Sequence, residues 1–431
     1  MNSPDILQGL NPAQHDAVIH RGGPLLVVAG AGSGKTRVLT QRIAHLIQED
    51  NINPFQILAI TFTNKAAQEM KDRVAALVGP VAEKMWVSTF HSACVRILRR
   101  DAEQLGYPSA FSIYDQADAT RLTGYVVRDL GLDNKKFVAR SVHAQISNLK
   151  NELISTDAAL DRADGIFGRK IAEIYDEYQR RLRSAGAMDF DDLLTVTVQL
   201  FDNFPNALSH YQERFQHVLV DEYQDTNPAQ NDIVLKLGDK HRNVFVVGDS
   251  DQSVYAFRGA DIRNILEFEK AFPDTGVVVL DQNYRSTQTI LDAANSVISN
   301  NYGRKPKELW TDKSGGDKIV MYRADDEVDE AAWIIGELQR LHGQGGLRWS
   351  DVAIFYRANA QSRILEERLA GVSVPYRVVG GTRFYDRREV KDALAYLRAV
   401  VNPADEVSLK RVLNVPKRGI GDSSVTRLDQ Y

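Results

Sequence analysis

The sequence predicts an α/β protein built on parallel β-sheets with helices on both faces, together with a mostly helical inserted subdomain. Short apolar runs recur along the chain, and each is followed by Gly, Asp, Thr or Asn and then by a helical pattern. A glycine-rich loop follows the first run, and two adjacent carboxylates follow another. Buried parallel strands have this pattern, and the loops at their carboxyl ends bind ligands.

The predicted strands fall into two series, separated by a helical stretch and a loop. The first series covers residues 24–30, 57–63, 217–222, 243–249 and 276–282. Residues 92–213 interrupt it with a mostly helical pattern that carries basic clusters, and we interpret them as an inserted subdomain. The second series covers residues 318–324, 351–357 and 376–381, after which the pattern becomes helical and charged.

Composition excludes several classes of protein. The length of 431 residues suggests two to four domains. The single cysteine, Cys94, rules out an internal disulfide and fits a reducing cytosol. No signal peptide is evident, and no apolar run approaches the ~20 residues of a membrane helix. The net charge of −4 counts against a non-specific polyanion binder, so a nucleic-acid site here must be local, with stacking aromatics and a basic groove.

The glycine-rich loop has the pattern of a phosphate-binding loop. It runs from Ala29 to Thr36 as AGAGSGKT, between an apolar run and a helical pattern. Backbone N–H groups of such a loop bind phosphate oxygens, Lys35 reaches the β and γ phosphates, and the Thr36 hydroxyl ligates Mg²⁺. The strict pattern has Gly where Ala29 stands. The bland alternative is a glycine-rich turn, but strand, loop, Lys-Thr and helix all occur in order.

Asp221 and Glu222 end the third apolar run. In a phosphate-loop NTPase an Asp at this place holds Mg²⁺, and an adjacent carboxylate orients and deprotonates the attacking water. A solvated helix N-terminus is the alternative, because acids are favoured there as well. The phosphate loop favours the metal and general-base assignments.

Two further strand ends carry candidate side chains. Gln252 follows the run 243–249 and has both a donor and an acceptor to sense a γ-phosphate. Arg285 can neutralise γ-phosphate charge, and Tyr284 can stack on a base. From position alone, a surface ion pair for Arg285 and core packing for Tyr284 are equally good interpretations.

Several motifs occur in an order that resembles the UvrD/Rep/PcrA-type superfamily-one DNA helicases. They are LNPAQHDAV, AGAGSGKTR, ITFTNKAAQEM, STFHSACVRILRR, MDFDDLL, VDEYQDTN, VVGDSDQSVYAFRGA and LDQNYRS. The resemblance implies two RecA-like motor domains, each with an insertion, ATP bound between them, and 3′ to 5′ movement on single-stranded DNA. It covers the chain from about Leu10 onward.

The resemblance also implies roles for individual residues. Gln14 would read the adenine, and Arg37 and Tyr284 would sandwich its ring. The loop itself, Ala29, Gly30, Ala31, Gly32, Ser33, Gly34, Lys35 and Thr36, would bind phosphate. Glu222, Lys35, Gln252 and Arg285 would act in hydrolysis, with Thr36 and Asp221 on Mg²⁺.

A DNA track is implied as well. Its residues would be Phe62, Asn64, Thr89, His91, Tyr255, Phe257 and Arg258, with Arg357 and Asn359 from the second motor domain. Stacking on aromatic rings is worth ~1–3 kcal/mol per base and tolerates any sequence, as a motor requires. For Phe62 and Phe257, ordinary core packing is the competing interpretation.

The implied domain order assigns 1–91 and 214–281 to the first motor domain and 92–213 to its helical insertion. It assigns 282–380 to the first half of the second motor domain and 381–431 to the start of a second insertion. Two motifs of the family, resembling TVHQAKGLE and YVGITRA, do not occur in the sequence, and the second supplies an arginine finger. We therefore expect an N-terminal portion of a longer helicase.

The leading hypothesis is an ATP- and Mg²⁺-dependent DNA helicase of repair or replication. Its expected partners are single-stranded DNA, duplex junctions and repair or replication proteins, in the cytoplasm of a bacterial-type cell near the nucleoid. A non-motor module that binds ATP and DNA, and a subunit of a helicase–nuclease complex, remain alternatives.

Overall fold

The computed structural model describes residues 6–302, 304–313, 315–379, 388–421, 424, 425 and 427. By their contacts these residues divide into two units. The first contains the described residues up to Gly316 and from Ala395 onward, and the second is Asp317–Leu394. No helix among the described residues is long and apolar enough to cross a membrane.

The first unit contains a six-stranded, fully parallel sheet, with strand order β3-β2-β6-β7-β1-β8. Its strands are β1 Leu25–Ala29, β2 Ile57–Thr61, β3 Trp86–Thr89, β6 His217–Val220, β7 Val244–Gly248 and β8 Gly276–Leu280. All five runs of the first predicted series form strands, and β3 joins them at one edge. The predicted α/β class with a parallel sheet is confirmed.

Helices cover both faces of this sheet, because its strands are apolar on both sides. One buried cluster contains Leu26, Val28 and Val220, and the other contains Leu25, Val27 and Leu219. Helix α1 Pro12–Ile19 precedes β1. The helices that follow the strands of the sheet are α2 Lys35–Gln48, α3 Asn64–Val78, α4 Phe90–Asp101, α11 Pro228–Gly238, α12 Arg263–Leu266, α13 Phe268–Ala271 and α14 Gln288–Ile298.

A helical region lies between α4 and β6 in the chain. It contains β4 Ser112–Tyr114, α5 Gln116–Asp129, α6 Ala139–Asn151, α7 Thr156–Arg162, α8 Gly165–Ser184, β5 Ala187–Asp189, α9 Phe190–Asn203 and α10 Pro205–Arg214. Strands β4 and β5 pair in parallel. Residues of α5 to α8 form a core of their own, which Val407 of α18 joins, whereas α4 and α9 pack into the core of the large sheet. Two C-terminal helices are α17 Arg388–Val401 and α18 Glu406–Val412.

The second unit contains α15 Glu327–Gly343 and α16 Ser362–Gly371 around a small core of Ile335, Leu338, Leu369 and Val374. The second predicted strand series is wrong for the residues that are described. Residues 318–324, 351–357 and 376–379 form no strand, and Met321 and Phe355 are each 93% exposed. A strand is stabilised by the hydrogen bonds of a neighbouring strand, and none of these runs pairs with another. Residues 380 and 381 of the last run, and 381–387 of the predicted second insertion, lie outside the described residues.

Candidate functional site

The glycine-rich loop joins β1 to α2 at the carboxyl edge of the sheet. Gly32 and Gly34 adopt positive φ angles of 68° and 87°. A Cβ atom on Gly34 would lie 2.9 Å from Nε2 of Gln14. That nitrogen donates to the carbonyl oxygen of Ser33 at 2.8 Å, and Gln14 is buried. The loop therefore requires glycine for both conformation and space, and α1 holds it through Gln14.

The chain after β8 packs on the same loop. Nδ2 of Asn283 donates to the carbonyl oxygen of Ala31 at 2.6 Å, and the amide of Tyr284 donates to that of Gly32 at 3.0 Å. A Cβ atom on Gly32 would lie 2.9 Å from Cβ of Arg285. Tyr284 and Arg285 are exposed beside the loop. Within the described part of the chain, Arg285 has no carboxylate at ion-pair distance, so the surface ion pair is not found.

The residues assigned to the adenine lie near the start of α1. Arg37 is exposed and donates to the carbonyl oxygen of Gln8 at 3.1 Å. The hydroxyl of Tyr284 accepts from Nδ2 of Asn11 at 2.9 Å, and the residue is 44% exposed. The alternative that Tyr284 packs in the core is therefore wrong. That Arg37 and Tyr284 sandwich the adenine ring stays a prediction.

Lys35 meets the carboxylates that follow β6. Its Nζ lies 2.9 Å from Oε2 of Glu222. Glu222 has a φ of +51°, in the left-handed region. For a residue with a side chain this conformation costs about 1–3 kcal/mol and is found at functional sites. Lys35 and Glu222 are thus held together on a strained turn next to the phosphate loop.

Two buried aspartates flank this pair, and neither has a cation at ion-pair distance among the described residues. Burial, and next the charge of Glu222, raise the pKa of Asp221 to about 7, with Lys35 opposing. The same two causes raise the pKa of Asp225 to about 7. Its Oδ1 has no hydrogen-bond partner, and Asp225 is buried and makes no ion pair among the described residues. Asp225 is therefore not part of a surface ion pair.

These carboxylates suit a Mg²⁺ ion that is also bound by phosphate. Mg²⁺ is usually held by one or two carboxylates and by substrate phosphates rather than by a complete protein cage. Accordingly, no group of three or more His, Cys, Asp or Glu side chains in the described chain can hold a metal alone. Thr36, at the second position of α2, shares a pocket of about 320 Å³ with Asp221, Glu222 and Gln252, which we call the carboxylate pocket.

A second, larger cavity of about 580 Å³ lies beside it and is lined by aromatic rings. The ring centroids of Phe62 and Tyr255 are 4.7 Å apart, and those of Tyr255 and Phe257 are 6.1 Å apart. Phe257 is 73% exposed, so its assignment to core packing is wrong. Thr89 and His91 also line this space, which we call the aromatic cavity. The structure thus brings together five of the predicted DNA-track residues.

The remaining track residues are less clearly grouped. Asn64 is exposed at the first position of α3, and its Oδ1 lies 3.5 Å from Oγ1 of Thr89. The side chain of Arg258 lies outside what the structure describes. Arg357 and Asn359 belong to the second unit, where both are exposed.

The carboxylate pocket and the aromatic cavity share a wall. Thr61, Phe62, Asp225 and Tyr255 line both spaces. Phe62 follows β2 directly, and Asp225 lies four residues after Asp221. Groups that would contact phosphate and groups that would contact a base are therefore separated by single side chains.

Two features in or next to the aromatic cavity were not identified from the sequence. Phe190, the first residue of α9, is 47% exposed, and its ring lies edge-on to His91 at 6.1 Å. Asn151 and Asn227 line the cavity and are joined by a 2.6 Å hydrogen bond. The Phe in MDFDDLL, placed between a helix-capping Asp and two more acids, was the available signal for Phe190.

Comparison with known proteins identifies the family. Residues 10–273 match the family model of the UvrD/REP helicase N-terminal domain, and residues 278–431 match that of the UvrD-like helicase C-terminal domain. The chain is 52% identical over 429 residues to the ATP-dependent DNA helicase PcrA of Bacillus subtilis, covering 100% of this chain and 58% of that protein. It is 56% identical over 429 residues to the ATP-dependent DNA helicase UvrD1 of Mycobacterium tuberculosis, covering 97% of this chain and 56% of that protein.

A PcrA of Staphylococcus aureus is 52% identical over 426 residues, with 99% of this chain and 58% of that protein covered. The chain thus spans somewhat more than half the length of these curated relatives. The family models and these identities agree with the order of motifs around both cavities. The chain belongs to the UvrD/REP helicase family.

Proposed function

We propose that this chain acts in an ATP-dependent DNA helicase that moves 3′ to 5′ along single-stranded DNA. The observation that carries the proposal is the wall shared by the carboxylate pocket and the aromatic cavity. A movement of Phe62 or Tyr255 on hydrolysis would reach a stacked base without an intermediate element. The relatives are named as ATP-dependent DNA helicases PcrA and UvrD1, which supports the same activity.

The geometry supports the following roles at the nucleotide. When ATP binds, Lys35 would leave its ion pair with Glu222 and contact the β and γ phosphates. Glu222 would then be free to orient and deprotonate the attacking water. Thr36 and Asp221 would hold Mg²⁺, which when bound neutralises phosphate charge. Gln252 and Arg285 would contact the γ-phosphate.

The aromatic cavity favours a ligand that is held mainly by stacking. Its lining contains aromatic rings, hydroxyls, amides and the carboxylates of Asp191 and Asp225, but no lysine or arginine among the described side chains. Such a surface binds single strands with little preference for sequence. We propose single-stranded DNA next to a duplex junction as the ligand, with repair or replication proteins as partners in the cytoplasm.

Glu222→Gln in the full-length protein tests the ATPase assignment. The amide keeps the size of the side chain but cannot accept the proton of water, so DNA-stimulated ATP hydrolysis should fall at least about 10²-fold. Binding of a fluorescent ATP analogue should persist. Undiminished turnover would refute Glu222 as the base, and ATP hydrolysis without any unwinding by the unaltered protein would favour a non-motor module.

Phe257→Ala tests the DNA assignment. Loss of one stacking ring should weaken binding of a single-stranded oligonucleotide by about 1–3 kcal/mol, with ATP binding unchanged. Phe55→Ala is the matched control, since Phe55 is 42% exposed just before β2, at the opposite edge of the sheet. Equal effects of the two substitutions would contradict the assignment.

A further inference from the structure

Lys307 is a buried lysine that no motif of the sequence analysis includes. Its Nζ lies 2.7 Å from Oδ1 of Asp249 and 2.6 Å from Oδ2 of Asp251. The side chain of Lys307 is 1% exposed and that of Asp249 is 2% exposed. Lysines are almost never fully buried without a partner, because the desolvated charge must be compensated. Lys307 is therefore fixed in place by two carboxylates of the loop that follows β7.

Asp249 connects Lys307 to both candidate catalytic side chains. Its Oδ2 accepts a hydrogen bond from Nε2 of Gln252. Its backbone amide donates to Oε1 of Gln224 at 2.9 Å, and Nε2 of Gln224 donates to Oε2 of Glu222 at 3.0 Å. A continuous chain of polar contacts thus runs from the proposed general base to Asp249, and from there to Gln252 and Lys307.

Two neighbours of Lys307 have different partners, which separates their effects. Nε and Nη2 of Arg304 each donate to a carboxylate oxygen of Asp251 at 2.7 Å, and among the described contacts no hydrogen bond or ion pair joins Arg304 to Asp249. Lys305 pairs with Glu269 of α13. Of these three cations, only Lys307 contacts the aspartate that holds Gln252.

We propose that Lys307 is a positioning residue for ATP hydrolysis, which orients Gln252 and Glu222 by fixing the carboxylate of Asp249. The inference rests on the proposed ATPase function. Lys307 does not line the carboxylate pocket, so it acts through Asp249 rather than on the nucleotide. Without the ammonium group, Asp249 has no ion-pair partner among the described residues. Its carboxylate is then free to turn toward water, and the amide of Gln252 loses its anchor.

The first test is Lys307→Met in the full-length protein, measured as DNA-stimulated ATP hydrolysis. Since a misplacement of about 1 Å can cost 10²-fold, we expect kcat to fall about 10- to 100-fold. The KM for ATP should change by less than about two-fold, because the phosphate loop and the residues proposed to bind the base are untouched. A kcat equal to that of the unaltered protein would overturn the inference.

A double variant separates positioning from simple stabilisation. Lys307→Met combined with Asp249→Asn removes the buried unpaired charge, and an asparagine oxygen still accepts from Gln252. Thermal stability should therefore return toward that of the unaltered protein, while kcat stays low because the side chain at 249 is no longer fixed. Recovery of both stability and kcat would show that Lys307 only stabilises the fold, and would overturn the inference. This comparison also decides the question if the single variant does not fold.

Lys305→Met is the matched control, two residues away with the same change of side chain. We expect its kcat to stay within about two-fold of the unaltered protein. An equal loss in both variants would assign the effect to the packing of this segment and would contradict the inference. Glu222→Gln, assayed in parallel, keeps the two proposals apart. If it still hydrolyses ATP, the proposed function fails; if it does not and Lys307→Met is fully active, only the role of Lys307 fails.

Discussion

Two clusters of aspartates follow short parallel strands, and they differ in how their charge is compensated. At the end of β5, Nζ of Lys150 lies 2.7 Å from Asp189 and 2.8 Å from Asp192, and the hydroxyl of Tyr178 donates to Asp189 at 2.7 Å. Burial alone would raise the pKa of Asp189, but Lys150 outweighs it and the pKa is lowered. Burial and Asp189 raise the pKa of Asp192 to about 6.

At the end of β6 the compensation is missing. Lys35 contacts Glu222, and neither Asp221 nor Asp225 has a cation at ion-pair distance within the described chain. Both have a pKa raised to about 7. Asp189, with a buried cation and hydrogen-bond donors, therefore stabilises the fold as a carboxylate, whereas Asp221 and Asp225 without them are suited to a ligand that carries positive charge.

Lys150→Met should have the largest effect on stability. It leaves Asp189 and Asp192 buried without a cation, which costs about 3–5 kcal/mol in the free energy of unfolding. Urea denaturation measures the loss. Lys240→Met is the control, because the Lys240 side chain is 44% exposed and its pair with Glu213 is worth under about 1 kcal/mol. Similar losses in the two variants would remove the distinction between the clusters.

In contrast to Lys150→Met, Asp221→Asn should raise the free energy of unfolding. The amide removes an uncompensated buried charge and keeps an oxygen to accept from the amide of Glu222, as Oδ1 does now at 3.1 Å. Without nucleotide, we expect the free energy of unfolding to rise by about 1–3 kcal/mol at pH 8. Mg²⁺-dependent ATP hydrolysis should be lost. A destabilised Asp221→Asn protein would contradict the interpretation.

The pH dependence sharpens the same comparison. The pKa of Asp221 is raised to about 7 in the folded state, from 3.8, so the folded state holds an extra proton between these values. Its destabilising contribution is absent below pH 3.8, grows as the pH rises and is complete above about 7. The gain from Asp221→Asn should therefore vanish near pH 4. Asp189, with a lowered pKa, contributes stability that is present above pH 3.8 and lost below it. If the difference in the free energy of unfolding between the Asp221→Asn and unaltered proteins did not depend on pH, this would be incompatible with a raised pKa of Asp221.

The smallest effect is expected at Asn151, which connects the start of α9 to the start of α11. Its Nδ2 lies 3.3 Å from Asp191, and its Oδ1 accepts from Asn227 at 2.6 Å. Asn151→Ala should lower the free energy of unfolding by about 1–2 kcal/mol, since Asn227 is left without this partner. Asn148→Ala, on the exposed face of the same helix, is the control and should change it by less than about 0.5 kcal/mol.

The sequence predicts local features of this molecule better than distant contacts. The five apolar runs of the first series form strands because each is followed by a helix that covers the sheet. The runs at 318–324 and 351–357 have the same apolar character as the five runs that form strands. They form no strand themselves, because pairing depends on partners elsewhere in the chain. From the sequence, Phe257 is equally compatible with core packing and with the DNA track, and only its exposure in the structure distinguishes these two interpretations. Lys307 lies 56 residues from Asp251 in the chain, and no local sequence pattern predicts that contact.

The wall shared by the two cavities has a consequence for inhibition. A small molecule bound between Phe62 and Tyr255 would fill volume that belongs to both proposed ligand sites. Kinetically it would compete with ATP and with DNA, so saturating concentrations of either ligand would reduce its binding. Few substitutions could confer resistance, because a residue changed to exclude the compound would also alter the surface proposed to stack on a base.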